Sequence, residues 1–239
     1  MLECQQGGYR FLKGGRPYSA GVVAAPGFEI VHARFAVPPA LADGFEAVAA
    51  HVESLGRPKQ ALCAMELRCR RPMTIAEFKE FNDGYRNVLR EWGVLVDDVN
   101  PVVRTNVSPV IEPPPETVLY GFSYAVVSNG AGGETFVISG AGERGEGTGK
   151  ALDIVRYGET SADAMAEKAL SVRNRVSERL EGLGAAWNAS TAVNVYTAHA
   201  CAAPEVLGER PVTWHYARPP IVHIEFEMDA RRYRREVVL

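Results

Sequence analysis

The feature that most constrains this chain is a spacing that occurs twice. Pro113 follows Arg104 by nine residues, and Pro219 follows Arg210 by nine residues. Each time a strand-like run precedes the prolines and an apolar strand follows them. Ahead of the second arginine, the order strand, strand, helix, strand repeats that of the first part. This duplication predicts two α+β units, each a mixed or antiparallel sheet with helices on one face. The units are expected over residues 1–127 and 135–239, joined by the Gly-rich linker "SNGAGGE" at 128–134. The second unit is the shorter, with only "HACAAPEVLGE" where the first has the helix 74–92.

Local patterns fill in the elements. "AGVVAAPGFEIVHARFAV" holds two apolar runs split by Pro26-Gly27, which reads as a hairpin. Leu41, Phe45, Val48, Val52 and Leu55 have helical spacing, and Gly56 stops the helix. From Thr74 a second helix begins, with Thr74 and Glu77 as a capping box and Ile75, Phe78, Phe81, Tyr85, Val88, Leu89 and Trp92 on one face. A third helix carries Met165, Ala169, Val172, Val176, Leu180 and Leu183. Strands are expected in "QALCAMELRCR", "NPVVRTNVSPVI", "TVLYGFSYAVV", "TFVISG", "ALDIVRY" and "STAVNVYTA", and on both sides of Pro219-Pro220.

Charge and cysteine content narrow the class. A net charge of −3 and a pI near 6.0 give no basic field for a phosphate backbone, so nucleic acid is not the expected ligand. The locally basic tail "DARRYRREVVL" reads as a solvated strand edge. The N-terminus has no signal-peptide pattern and no apolar run reaches membrane length, so a cytoplasmic protein with no membrane partner is expected. Cys4, Cys63, Cys69 and Cys201 show no ligand spacing and read as buried thiols. His215 and His223, flanking the proline turn, read as structural histidines. Neither a metal nor an organic cofactor is implied.

Three short motifs, in order, resemble the RidA family, the YjgF-type enamine/imine deaminases. "PYSAGV" at Pro17–Val22 is similar to that family's opening motif. "ISGA" at Ile138–Ala141 is similar to its "VSGQ", where the first half has "VHAR". The arginine, proline turn and closing strand end in "VLYG" in the first half and "IEFE" in the second. The resemblance implies two tandem, divergent RidA-like (chorismate-mutase-like) domains and a barrel-like core in a homo-oligomer, a trimer by preference. It also implies a deaminase, a C=N hydrolase acting on a small carboxylated enamine or imine. A ring-cleavage amine such as an aminomuconate is one such substrate.

The same resemblance assigns roles. Glu225 falls at the catalytic glutamate position, where Leu119 stands in the first half, and would activate water. Tyr18 would line and hydrogen-bond the same pocket. Arg104 and Arg210 would hold a substrate carboxylate, with Arg218 a rival, and Ser139 and Gly140 would contribute from the second motif. The first half has Tyr18 and Arg104 but no glutamate. The second has Ser139, Gly140, Arg210 and Glu225 but no such tyrosine. One site shared between the halves is therefore expected. The literal GxGxxG at Gly140, Gly142 and Gly145 lacks the helix that a dinucleotide site requires and reads as a loop at the pocket rim. A non-catalytic metabolite-binding protein of the same fold is the alternative reading. Ribonuclease activity is opposed by the acidic pI.

Overall fold

The helices form where their apolar periodicity and caps place them. In the computed structural model, which describes residues 1–130, 134–145, 153–188, 191–201, 207 and 212–239, α1 spans Leu41–Ser54, α2 Ile75–Glu91 and α3 Ala162–Leu183. The Thr74 hydroxyl accepts from the Glu77 amide, and the Glu77 carboxylate accepts from the Thr74 amide, closing the capping box that starts α2. Ser161 caps α3, and Gly184 ends it in the left-handed conformation (φ 74°) that glycine adopts without a Cβ penalty.

Among the described residues there are twelve strands: β1 (Leu2–Cys4), β2 (Tyr9–Leu12), β3 (Gly21–Ala24), β4 (Phe28–Arg34), β5 (Leu62–Arg68), β6 (Val103–Pro109), β7 (Val118–Val127), β8 (Phe136–Gly142), β9 (Ala192–Thr197), β10 (Val212–Arg218), β11 (Phe226–Arg232) and β12 (Glu236–Val238). They form one mixed sheet in the order β1-β2-β3-β8-β11-β9-β10-β6-β5-β7-β4-β12. This corrects the expected pair of tandem domains with a barrel-like core. The pairings run across the supposed boundary: β3 pairs β8 antiparallel, β10 meets β6 at Ala217 and Arg218, and β12 pairs β4 in parallel. The spacing in the sequence reports a local feature recurring inside one sheet, the parallel pairs β5–β6 and β9–β10. The expected linker 128–134 lies partly outside the described residues, at 131–133. "ALDIVRY" is not a strand: of its described part, Ile154 makes an isolated bridge to Arg144 and turns follow, while 151–152 lie outside the described residues.

Alternation along β11 shows how the sheet divides its faces. Phe226, Met228 and Ala230 join Val172, Val176 and Leu180 of α3 in one core. Glu227, Asp229 and Arg231 point the other way, yet all three are buried. Helices α1 and α2 cover β4, β5 and β7 in a second core around Phe45, Met65, Tyr85 and Phe122. A third cluster joins Tyr9, Phe11, Val22 and Val137 to Ile30, Cys63, Val103 and Ala125, so the sheet curls until its two ends share an interior. The basic tail belongs to this architecture. Arg231 is buried, and Arg235 pairs with Glu29 of β4 at 2.7 Å.

Candidate active site

Where the curled sheet brings β6 beside β8, the three sequence motifs meet. The Ser19 amide donates to the Val102 carbonyl at 2.9 Å, and the Ser139 hydroxyl donates to the Arg104 carbonyl at 2.7 Å. The two motif serines thus hold the backbone of β6. Asn100 fixes the turn before Tyr18 by donating to the Pro17 carbonyl at 2.7 Å.

Above this junction lies a cavity of about 370 Å³. Pro17 and Tyr18 line it from the first motif, Arg104 and Asn106 from β6, and Gly140 and Gly142 from β8. Arg175 and Arg179 come from α3, Ile221 and Ile224 from the proline turn, and Glu227 from β11. Arg144 completes the basic lining. The structure therefore gathers Tyr18, Arg104 and Gly140, residues of both halves, around one space.

Arg104 is buried in an aromatic cage. Its guanidinium lies 4.7 Å from the ring centre of Tyr85, 5.4 Å from Phe78, 5.5 Å from Phe81 and 5.6 Å from Tyr18. Nη2 donates to Asn82 of α2 at 2.5 Å, whereas Nη1 is buried without a hydrogen-bond partner. Two positions along β6, Asn106 Nδ2 is likewise buried and unpartnered. Two donors on one strand face are thus left for an acceptor, an arrangement costly unless a ligand or water completes it.

The carboxyl that lines the cavity among these arginines is that of Glu227. Burial raises its carboxyl, the neighbouring charges of Asp229 and Glu143 raise it further, and Arg104 and Arg179 pull it back, leaving it at about 8. A carboxyl so placed is protonated at neutral pH and can both give and take a proton. Gly140 makes room for it, because a Cβ there would overlap Glu227 Oε1.

The other expected site residues lie elsewhere. Glu225 precedes β11 and does not line the cavity. Its carboxylate meets His199 Nε2 at 2.9 Å, and its amide donates to Glu143 at 2.7 Å. Ser139 acts through the Arg104 backbone. Arg218 pairs opposite Ser108 on exposed β10, away from the cavity, and Arg210 lies outside the described residues. Sequence reasoning missed Asn106, Arg144, Arg175, Arg179 and Glu227. Asn106 and Glu227 each stand two residues from a residue already singled out, the period that a strand imposes. The α3 arginines carry no such signal, since they resemble a solvated helix face. Among the described residues, no group of three His, Cys, Asp or Glu is placed to hold a metal ion, and no helix is long and apolar enough to cross a membrane.

The fold is that of a chorismatase-like protein. A chorismatase crystal structure aligns with a TM-score of 0.53 at 14% identity, covering 89% of this chain and 77% of that one. At this identity the likeness concerns the fold alone. The family follows from the sequence: the family described as 2-aminomuconate deaminase CnbZ matches residues 1–237. The 2-amino-5-chloromuconate deaminase of Comamonas testosteroni is 37% identical over 242 residues, 98% of this chain and 96% of that protein. The chain belongs to the CnbZ 2-aminomuconate deaminase family. This corrects the resemblance to the RidA family and its tandem copies, which rested on three short motifs.

Proposed function

We propose that the protein is a deaminase that hydrolyses a 2-aminomuconate-type dicarboxylate and releases its amino group as ammonia. Glu227 carries the reading: a buried carboxyl protonated at neutral pH, in the same cavity as Arg104 and three further arginines. Arg104 Nη1 and Asn106 Nδ2 bind one carboxylate. Arg144, Arg175 and Arg179 supply the positive charge for the second. Tyr18 walls the Arg104 end and reaches the substrate with its hydroxyl.

The chemistry then needs one proton carrier. Protonated Glu227 gives its proton to the enamine carbon, and the carbon–nitrogen bond becomes an iminium. As a carboxylate, it takes a proton from the water that attacks the iminium carbon, forming a carbinolamine. It passes that proton to the nitrogen. The carbon–nitrogen bond breaks, ammonia leaves, and the hydroxyl proton returns to Glu227 as the carbonyl forms. The products are a 2-oxo dicarboxylate and ammonia, and Glu227 ends as it began.

Ammonia release from freshly generated 2-aminomuconate tests this. The wild-type protein is expected to exceed the buffer rate. Glu227→Gln should lose about 10²-fold or more in kcat, and Arg104→Met should act chiefly by raising KM. Wild-type release no faster than buffer, from folded protein, would reject the activity. Full activity in Glu227→Gln would reject the assigned acid and base.

A further inference from the structure

Asn106 poses a question of orientation. Its side-chain amide has a donor end and an acceptor end of nearly equal shape, and only the donor end suits a carboxylate in the cavity. We infer that Cys69 is a positioning residue for substrate binding, its thiol holding the Asn106 amide so that Nδ2 faces the cavity. The inference rests on the dicarboxylate reading above.

The geometry is a short chain of hydrogen bonds. Cys69 follows the end of β5 and is fixed beside β6 by its amide, which donates to the Val107 carbonyl at 2.8 Å. Its Sγ donates to Asn106 Oδ1 at 2.7 Å, and the Thr117 hydroxyl donates to Sγ at 3.5 Å. Because Thr117 occupies the sulfur as acceptor, the thiol proton is directed at Asn106, and only an oxygen can receive it. The flipped amide would exchange the thiol–oxygen bond for a contact from Nδ2 to sulfur, a weak acceptor, and would set its oxygen against the substrate carboxylate, a repulsive contact in a buried place. Both residues are almost wholly buried, Cys69 at 1% and Asn106 at 3% exposure, which strengthens the bond between them. Burial also raises the Cys69 thiol above its ordinary value, which keeps it in the protonated, donating form. Cys69 thus has a use that needs neither nucleophilicity nor metal binding.

The test is a comparison of Cys69→Ala, Cys69→Ser, Asn106→Ala and the double variant Cys69→Ala/Asn106→Ala, each checked by its thermal melting. Cys69→Ala is expected to raise KM for 2-aminomuconate roughly three- to tenfold, with kcat within about twofold of wild type. Cys69→Ser keeps a donor and should restore a KM near that of wild type. The double variant should be no worse than Asn106→Ala alone. A Cys69→Ser protein that folds but binds as poorly as Cys69→Ala would overturn the inference. So would a Cys69→Ala effect that persists in full without Asn106. If Cys69→Ala does not fold, Thr117→Val removes the hydroxyl that aims the thiol, and an unchanged KM there would overturn the inference. A wild-type protein that releases no ammonia would reject the deaminase reading. The same variants would then be compared by calorimetry with cis,cis-muconate, an unreactive dicarboxylate. A shift in Kd with the same pattern sustains the positioning role, and failure of muconate to bind rejects it.

Discussion

At the scale of single residues, the proposed role of Glu227 joins activity to stability. Its folded pKa of about 8 lies above the ordinary glutamate value, so between roughly pH 4.5 and 8 the folded protein holds a proton that the unfolded chain has released. Stability therefore falls as pH rises through that window, and below it the group has no effect. Glu227→Gln should accordingly be more stable than wild type at pH 7, by up to about 3 kcal/mol, and melt higher there, with the two converging near pH 4. Its activity should be lost while its stability rises, the pattern of a group held for function at a cost. Equal melting curves at pH 7 would mean that Glu227 is ionised in the fold. Wild-type kcat/KM should decline above about pH 8 as the proton donor is lost. The cavity was partly legible from the chain, because Tyr18, Arg104 and Gly140 lie in motifs. The glutamate was not, because Glu225 and Glu227 have the same parity, and only the point where the strand begins distinguishes them. The turn from Ile221 to Ile224, with His223 at φ 72°, delays the strand to Phe226. That leaves Glu225 to His199 and turns Glu227 into the cavity.

At the scale of elements, the cavity depends on how closely β8 approaches β11. Glu227 stands opposite Gly142 in that pair, and its carboxyl reaches over to Gly140, where a Cβ would overlap Oε1 and lie 3.4 Å from the Cα of Thr105 on β6. Gly140→Ala should therefore displace the Glu227 carboxyl rather than unfold the protein, since the overlapping atom ends a side chain. The expected result is a fall in kcat of about tenfold or more with a melting temperature within a few degrees of wild type. A variant with full kcat would show that the glycine serves the backbone alone. Glycine here works by leaving space, and the GxGxxG pattern that surrounds it is incidental. The helices were legible because capping and periodicity are local: Thr74 with Glu77, and the Met165-to-Leu183 stripe, occupy single stretches of chain. The sheet was not, because β3 with β8 and β12 with β4 are pairings between distant segments that no window of sequence contains.

At the scale of the whole molecule, the interior of the curled sheet is held by charge as well as by apolar contact. The Asp229 carboxylate accepts from Thr105 and Tyr196 at 3.0 Å each, from Asn194 at 2.9 Å and from Arg231 at 2.6 Å. Arg231 also donates to Glu66 of β5, which lies 3.5 Å from His32 of β4. The network therefore ties strands from the N-terminal half of the chain to β9 and β11. Burial alone would raise Glu66, but Arg231, then His32 and Arg68, bring it down to about 2. A depressed carboxylate stabilises the fold above its unfolded value and loses that contribution as pH falls from about 4.5 toward 2. Glu66 and Glu227 thus act with opposite sign, and the combined contribution of these two groups is most favourable near pH 4.5, between their two windows. Arg231→Met removes the cation shared by two buried carboxylates. Leaving such charges unpaired costs about 3–5 kcal/mol, which for a chain of this size lowers Tm by on the order of 10 °C. Because the network and the β3–β8 and β12–β4 pairings join both ends of the chain, unfolding should be one transition in calorimetry, with van't Hoff and calorimetric enthalpies in agreement. Residues 1–127 expressed alone should not fold, since β3 would lack β8, β4 would lack β12, and Glu66 would lie buried without its arginine. Two resolved transitions, or a folded fragment, would show that the halves are independent after all and that the interior charges merely decorate their contact.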